Sequence, residues 1–142
     1  MIKDLTIDKF TIKAVQESDS ESIIEILNEP RNYFPISSSS PLPTNHLYGI
    51  WKQDEMIGVI LIRPNNDSAY EIAWGLKDDY RFKGIASKII PVVVEEILKE
   101  HKDCIIACHI GDQNTLTMAQ RLNFKYISKD GDRYIYCLSK NE

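Results

Sequence analysis

Apolar and polar positions recur along this chain with periods that predict its elements one after another. Residues 10–15 (Phe-Thr-Ile-Lys-Ala-Val) read as a strand, and Ser18, Asp19 and Ser20 supply capping chemistry for a helix in which Ile23, Ile24 and Leu27 fall at helical spacing. The chain therefore opens with a βα unit. Residues 47–53 and 56–63 are β-rich runs parted by Asp54 and Glu55, a hairpin without the usual Asn-Gly or Asp-Gly turn. Residues 64–68 (Pro-Asn-Asn-Asp-Ser) close the second run, and residues 69–76 form another strand bounded by turn formers. Three successive strands predict an antiparallel meander.

After a charged loop at 77–83, Ala86, Ile89, Ile90, Val93, Ile97 and Leu98 make a wide apolar helical stripe, with Glu95 and Lys99 as an exposed i,i+4 pair. Pro91 lies inside that stripe, removes one internal hydrogen bond and predicts a bend. Residues 104–110 form a continuous apolar run, read as a strand buried on both faces and paired parallel with the 69–76 strand through the intervening helix. Asp112 can cap a helix carrying Leu116, Ala119 and Leu122. Residues 124–129 and 133–138 then flank Asp130-Gly131 as a terminal hairpin. By contrast, residues 29–45 hold Pro30, Pro35, Pro41, Pro43 and the run Ser37 to Ser40, which predicts a mobile loop with room for a helical turn.

Length and charge narrow this picture. With 142 residues, 43% of them apolar, the chain suffices for one packed core, so a single domain over 1–142 is expected. A net charge of −4 argues against a nucleic-acid or anionic-membrane binder, and any phosphate site must be local. Cys104, Cys108 and Cys137 form no CxxC pair, and the start lacks a basic and apolar signal segment, which leads to an expected cytoplasmic location. No apolar run approaches the ~20 residues of a membrane span. His46, His101 and His109 lack metal-ligand spacing, so no metal is expected.

The most informative stretch joins the strand Glu71-Ile72-Ala73-Trp74-Gly75-Leu76 to Arg81-Phe82-Lys83-Gly84-Ile85-Ala86. A helix start exposes unpaired N–H groups and partial positive charge, and Gly84 lets the backbone approach a ligand closely, so strand, loop and helix make an anion cradle.

The element order, with this cradle after the middle strand, resembles the GNAT superfamily of acyl-CoA-dependent N-acetyltransferases. Its signature, Gln/Arg-x-x-Gly-x-Gly/Ala, is similar to Arg81-Phe82-Lys83-Gly84-Ile85-Ala86, and Glu71 to Ala86 resembles the branch that acetylates protein N-termini, including those of ribosomal proteins. Downstream, Asp112-Gln113-Asn114-Thr115 and Leu122-Asn123-Phe124 are similar to the family's Asn-x-x-Ser and Leu-Gly-Phe. Phe82 departs from a common glycine, Asp112 from asparagine and Asn123 from glycine. The resemblance implies an α+β fold of three layers, with a central mixed, mostly antiparallel sheet of six to seven strands flanked by helices. It implies acetyl-CoA as co-substrate, its pyrophosphate on the backbone amides of Arg81, Phe82, Lys83, Gly84, Ile85 and Ala86 and its pantetheine arm along Trp74, Gly75 and Leu76. In that reading Asn114 stands in for the displaced asparagine, and Ser87 adds a hydroxyl donor.

Acetyl transfer to an amine requires a held thioester, a neutral nucleophile and a route for protons. Glu71, a lone carboxylate in an apolar strand, is a candidate proton acceptor; the alternative is a solvated glutamate at a strand start. Tyr134 and Tyr136 share one face of the last strand, and either can protonate a leaving thiolate, although aromatic pairs on strands commonly just pack. Thr115 offers a further hydroxyl, with local hydrogen bonding as its alternative role. Cys108 and His109 are adjacent in a strand, point to opposite faces and form no nucleophile–base pair. The expected activity is acetyl transfer from acetyl-CoA to a primary amine, either a peptide N-terminus or a small molecule. A non-catalytic acyl-CoA-binding regulatory module is the alternative, and the edge of the terminal hairpin leaves a homodimer open.

Overall fold

The computed structural model describes residues 2–36, 42–100 and 102–140. Its strands are β1 Leu5–Ile7, β2 Phe10–Ala14, β3 Leu47–Lys52, β4 Glu55–Asn66, β5 Ala69–Leu76, β6 Asp103–His109, β7 Lys125–Asp130 and β8 Arg133–Leu138, and its α-helices are α1 Ser20–Leu27, α2 Ile85–Lys99 and α3 Gln113–Arg121. The α+β class and its mostly antiparallel pairing are as expected, with eight strands rather than six or seven. One addition is β1, a three-residue strand turned back onto β2 through Asp8 at a φ of 55°. The chain divides into two compact units, residues 1–62 with 73–85 and residues 63–72 with 86–142.

In the first unit β1, β2, β3 and β4 follow one another antiparallel. Residues 56–62 of β4 are buried without a break, the mark of a strand covered on both faces. Ile50 faces Gly58 and Trp51 faces Met56, so Ile57 is an extra, bulged residue. The hairpin turn is Gln53-Asp54, one residue ahead of the expected Asp54-Glu55, because Lys52 pairs with Glu55 and Gln53 takes a φ of 56°. Helix α1 buries Ile23, Ile26 and Leu27 in a core with Val15, Leu47, Met56, Val59 and Leu61. Ile24, expected on that stripe, is 37% exposed; at 100° per residue, positions 23, 26 and 27 share a narrow arc that 24 leaves. A 3-10 turn occupies Thr44–His46, whereas the serine run Ser37 to Ser40 and Pro41 lie outside the described residues.

In the second unit β5 pairs parallel with β6, from Ala69↔Asp103 to Glu71↔Ile105, and β8 pairs antiparallel with both β6 and β7. The parallel pair is the one expected. Strand β6 corrects another expectation: Cys104, Ile106 and Cys108 are buried but Ile105, Ala107 and His109 only half so, and Ile110 lies beyond the strand, 56% exposed. An apolar run that includes Ala107 and His109 tolerates one partly open face. Strand β4 also runs past its expected end, through Pro64 to Asn66, where exposed positions make the missing N–H harmless.

Helix α2 continues through Pro91, with Ile89, Ile90, Val93, Val94 and Ile97 buried. Pro91 cannot donate to the Ser87 carbonyl four residues earlier, and Nη2 of Arg121 donates to that carbonyl at 3.3 Å instead. Lys99 pairs with Glu96 at 2.9 Å rather than with Glu95. Asp112 caps α3 as expected, its Oδ1 accepting the Thr115 N–H at 3.1 Å. The terminal turn is Gly131-Asp132, since Asp130 pairs with Arg133. Among the described residues no helix is long and apolar enough to cross a membrane.

Candidate functional site

The cradle begins where β5 ends. The N–H of Lys77 donates to Ile57 at 2.8 Å, and a 3-10 turn over Asp78–Tyr80 closes with Tyr80 N–H to Lys77 at 2.9 Å and Arg81 N–H to Asp78 at 3.1 Å. This turn is braced from the β3–β4 hairpin, as the Tyr80 hydroxyl donates to Glu55 Oε1 at 2.8 Å while Lys77 Nζ lies 3.4 Å from Glu55 Oε2. The shared proton raises the Tyr80 hydroxyl above its usual range and lowers the Glu55 carboxyl.

Arg81 is extended, and the chain then visits the left-handed region twice, at Phe82 with φ 61° and Gly84 with φ 76°, before Ile85 opens α2. Left-handed residues alternating in this way turn successive N–H groups toward one side, and the first turn of a helix adds N–H groups with no intrahelical partner. Nothing lies within 4 Å of where a Gly84 Cβ would sit, so space is left beside the backbone. Arg81 Nε is buried without a hydrogen-bond partner. Open space beside Gly84, an orphaned cationic donor and a helix start fit a phosphate group, and Lys83 is exposed in the same loop.

Phe82 explains its departure from glycine poorly in backbone terms and better in side-chain terms. Phe82 is 73% exposed, and two guanidiniums approach its ring, Arg31 at 5.2 Å and Arg81 at 5.7 Å from the centroid. The left-handed backbone costs a phenylalanine about 1–2 kcal/mol. Phe82→Gly and Phe82→Ala both lose the ring, so their difference isolates that strain: the glycine variant is expected to be more stable than the alanine variant by roughly 1 kcal/mol in denaturant melts. Equal midpoints would remove the strain.

Gly75 is required by close approach. A Cβ there would sit 2.8 Å from Asn32 Cγ and 2.9 Å from Phe34 Cε2. Asn32 Nδ2 donates to the Leu76 carbonyl at 3.0 Å and to Ile26 at 2.8 Å, while its Oδ1 accepts from Arg81 Nη1 at 2.8 Å. The Leu76 carbonyl is thus engaged, and Trp74 is half-buried on the same strand.

The second unit holds the remaining candidates. Glu71 is buried, 8% exposed, and is not a solvated strand-start residue: its Oε1 accepts from Arg63 Nε and Nη2, each at 3.1 Å. Thr115 Oγ1 donates to Asp112 Oδ2 at 2.6 Å, so its proton goes to the helix cap. Asn114 is exposed on the first turn of α3. Ser87 Oγ accepts from Arg121 Nη1 at 3.2 Å and keeps its own proton available. Tyr134 and Tyr136 share a face as expected, and Tyr126 meets both edge-on, with centroids at 6.2 and 5.7 Å. Partial burial, then Cys108 and the neighbouring tyrosines, raise the Tyr136 hydroxyl. Burial pushes the Cys108 thiol up to about 12 and raises Cys104 as well, which leaves both as neutral core thiols. Among the described residues no cluster of three or more His, Cys, Asp or Glu side chains is placed to hold a metal ion.

The first unit therefore brings Trp74, Gly75, Leu76, Arg81, Phe82, Lys83, Gly84 and Ile85 into one continuous path, while in the second Glu71, Ser87, Thr115 and Tyr134 each meet a partner of their own and Asn114 is exposed. Asn32, Arg63 and Arg121 were not foreseen. Arg63 had a signal, a cation eight residues before Glu71 on the preceding strand; Asn32 and Arg121 had none.

A family model described as acetyltransferase (GNAT) family matches residues 12–124, a stretch that enters both units. Among solved structures, the chain is similar to a GNAT-family acetyltransferase from Bacillus anthracis at 16% identity and a TM-score of 0.77, covering 98% of this chain and 99% of that one. It is similar to RimL, a ribosomal L7/L12 alpha-N-protein acetyltransferase in complex with coenzyme A, at 15% identity and 0.76, covering 98% and 99%. A ribosomal-protein-S5-alanine acetyltransferase from Vibrio fischeri matches at 13% and 0.71, covering 98% and 97%. At such identities the likeness is one of fold. No curated protein matches the chain in sequence.

Proposed function

Because the chain belongs to the acetyltransferase (GNAT) family and is an N-acetyltransferase, we propose that it moves acetyl from acetyl-CoA to a primary amine by direct attack of the neutral amine. The observation that carries this reading is the paired left-handed turn at Phe82 and Gly84 ahead of α2, with the buried, unpartnered Nε of Arg81 beside it. Acetyl-CoA supplies a thioester carbon already activated toward amines. The backbone from Arg81 to Ala86 holds its diphosphate, and Ser87 adds a hydroxyl. The strand at Trp74 to Leu76 guides the pantetheine arm through its main-chain groups other than the Leu76 carbonyl, which Asn32 occupies.

Glu71 takes the proton of the amine. Its Oε1 is fixed by Arg63, and in this reading Oε2 takes the proton directly or through water. Tyr134 returns a proton to the departing thiolate, a role that the Thr115 hydroxyl, committed to Asp112, serves less well. The acceptor class best supported is a peptide N-terminus, since RimL, a chain of the same fold, is named a ribosomal L7/L12 alpha-N-protein acetyltransferase.

The test is calorimetric titration with acetyl-CoA, followed by thiol release with peptides beginning in serine or alanine and with polyamines. Binding and acceptor-dependent release of CoA are expected. Saturable binding without turnover on any acceptor favours a regulatory module, and no binding at millimolar acetyl-CoA by folded protein overturns the donor assignment.

A further inference from the structure

The geometry points to Asn32 as a positioning residue that straps residues 29–34 onto the cofactor cradle, so that donor affinity and the order of this segment rise and fall together. Four contacts lie along the strap. Glu29 Oε1 accepts the Asp78 N–H at 3.4 Å, the Arg31 guanidinium stands 5.2 Å from the Phe82 ring, the Asn32 amide bonds Leu76 and Arg81, and Phe34 lies against Gly75. Residues 29, 31, 32 and 34 thus all meet the stretch 75–82.

Asn32 is the fixed point among them. Both Nδ2 donors are used, on Ile26 and Leu76, and Oδ1 takes the Arg81 guanidinium. A flipped amide would set its oxygen against two carbonyls and its NH₂ against a cation, so one orientation is imposed. Held through Nη1, the Arg81 guanidinium keeps Nε buried and unpartnered next to the left-handed turn. Asparagine suits this post because the side chain must donate twice and accept once; aspartate could donate nothing, and glutamine would not fit above Gly75, where even a Cβ comes within 2.8 Å of Asn32 Cγ. A segment outside the signature motif therefore sets the attitude of the motif's arginine.

The binding half of this inference rests on the acetyl-CoA reading; the strap itself does not, and two measurements keep the halves apart. In the first, acetyl-CoA is titrated into wild type, Asn32→Ala, Arg81→Ala and the double variant. Each single variant is expected to weaken binding five- to thirtyfold, and the double variant to lie within twofold of Arg81→Ala, because Asn32 acts through Arg81. Multiplicative losses, or Asn32→Ala binding like wild type, overturn the coupling. Gly75→Ala displaces the Asn32 amide without removing it and is expected to reproduce the Asn32→Ala loss, which serves if Asn32→Ala does not fold.

The second measurement needs no cofactor. Trypsin cuts after Arg31 and Arg81, and Asn32→Ala or Gly75→Ala is expected to speed cleavage at both at least tenfold under native conditions. Faster cleavage in a protein that does not bind acetyl-CoA keeps the strap and rejects the donor reading. Unchanged cleavage rejects the strap.

Discussion

Gly84→Asp is expected to lower acetyl-CoA affinity at least about 100-fold while leaving the fold intact. Two opposing terms decide this. Aspartate tolerates the left-handed backbone better than most residues, no neighbour lies within 4 Å of the new Cβ, and a carboxylate just before α2 is favourable to the helix dipole. Stability should therefore change little. The ligand meets the reverse: two like charges about 4 Å apart repel by roughly 4 kcal/mol at an effective dielectric near 20, and about 1.4 kcal/mol is a tenfold change in affinity. Gly84→Ala is the control, since it carries the backbone strain of about 1–2 kcal/mol without the charge. Calorimetry with parallel thermal melts separates the two, and a Gly84→Asp protein that binds like wild type would remove the phosphate from this cradle.

Glu71→Gln is expected to lower kcat by about 10²- to 10⁴-fold, the usual contribution of a positioned proton acceptor, with the KM for acetyl-CoA within about threefold of wild type. The amide keeps the volume and one acceptor oxygen for Arg63 but takes no proton. The stability cost should be small, about 1 kcal/mol or less, because the Arg63 side chain is 35% exposed and water can reach it. Arg63→Ala distinguishes the roles. If the pair merely holds β4 to β5, both variants lose similar stability and neither loses turnover. A Glu71→Gln enzyme with kcat within threefold of wild type would sink the assignment.

The legible parts of this molecule were those encoded locally. Strand β5 has the bounds its turn formers suggested, Asp112 caps α3, and the parallel β5–β6 pair follows from the apolar stripe of α2. Where reading failed, the competing influence was register or tertiary cover. The two hairpin turns moved by one residue because strand pairing claimed Glu55 and Asp130. Ile24 left the core because Ile26 completed a narrower arc. Lys99 chose Glu96 over Glu95, both within reach of the same helix face.

The sequence by itself determined the cradle: an apolar strand, a short loop, Gly84 and a helix start follow from backbone dihedral preferences and i,i+4 hydrogen bonding, which act over a few residues. Only the tertiary structure decided how the cradle is held. Asn32 reaches Leu76 and Arg81 across 44 and 49 positions, and Arg121 supplies the Ser87 carbonyl across 34. No local pattern marks such partners, because polar groups left over by local structure bond whatever donor or acceptor the fold brings within about 3 Å. Phe82 shows both influences at one residue, its left-handed turn expected of the glycine that the motif usually carries, and its ring placed by two arginines that meet only in the folded chain.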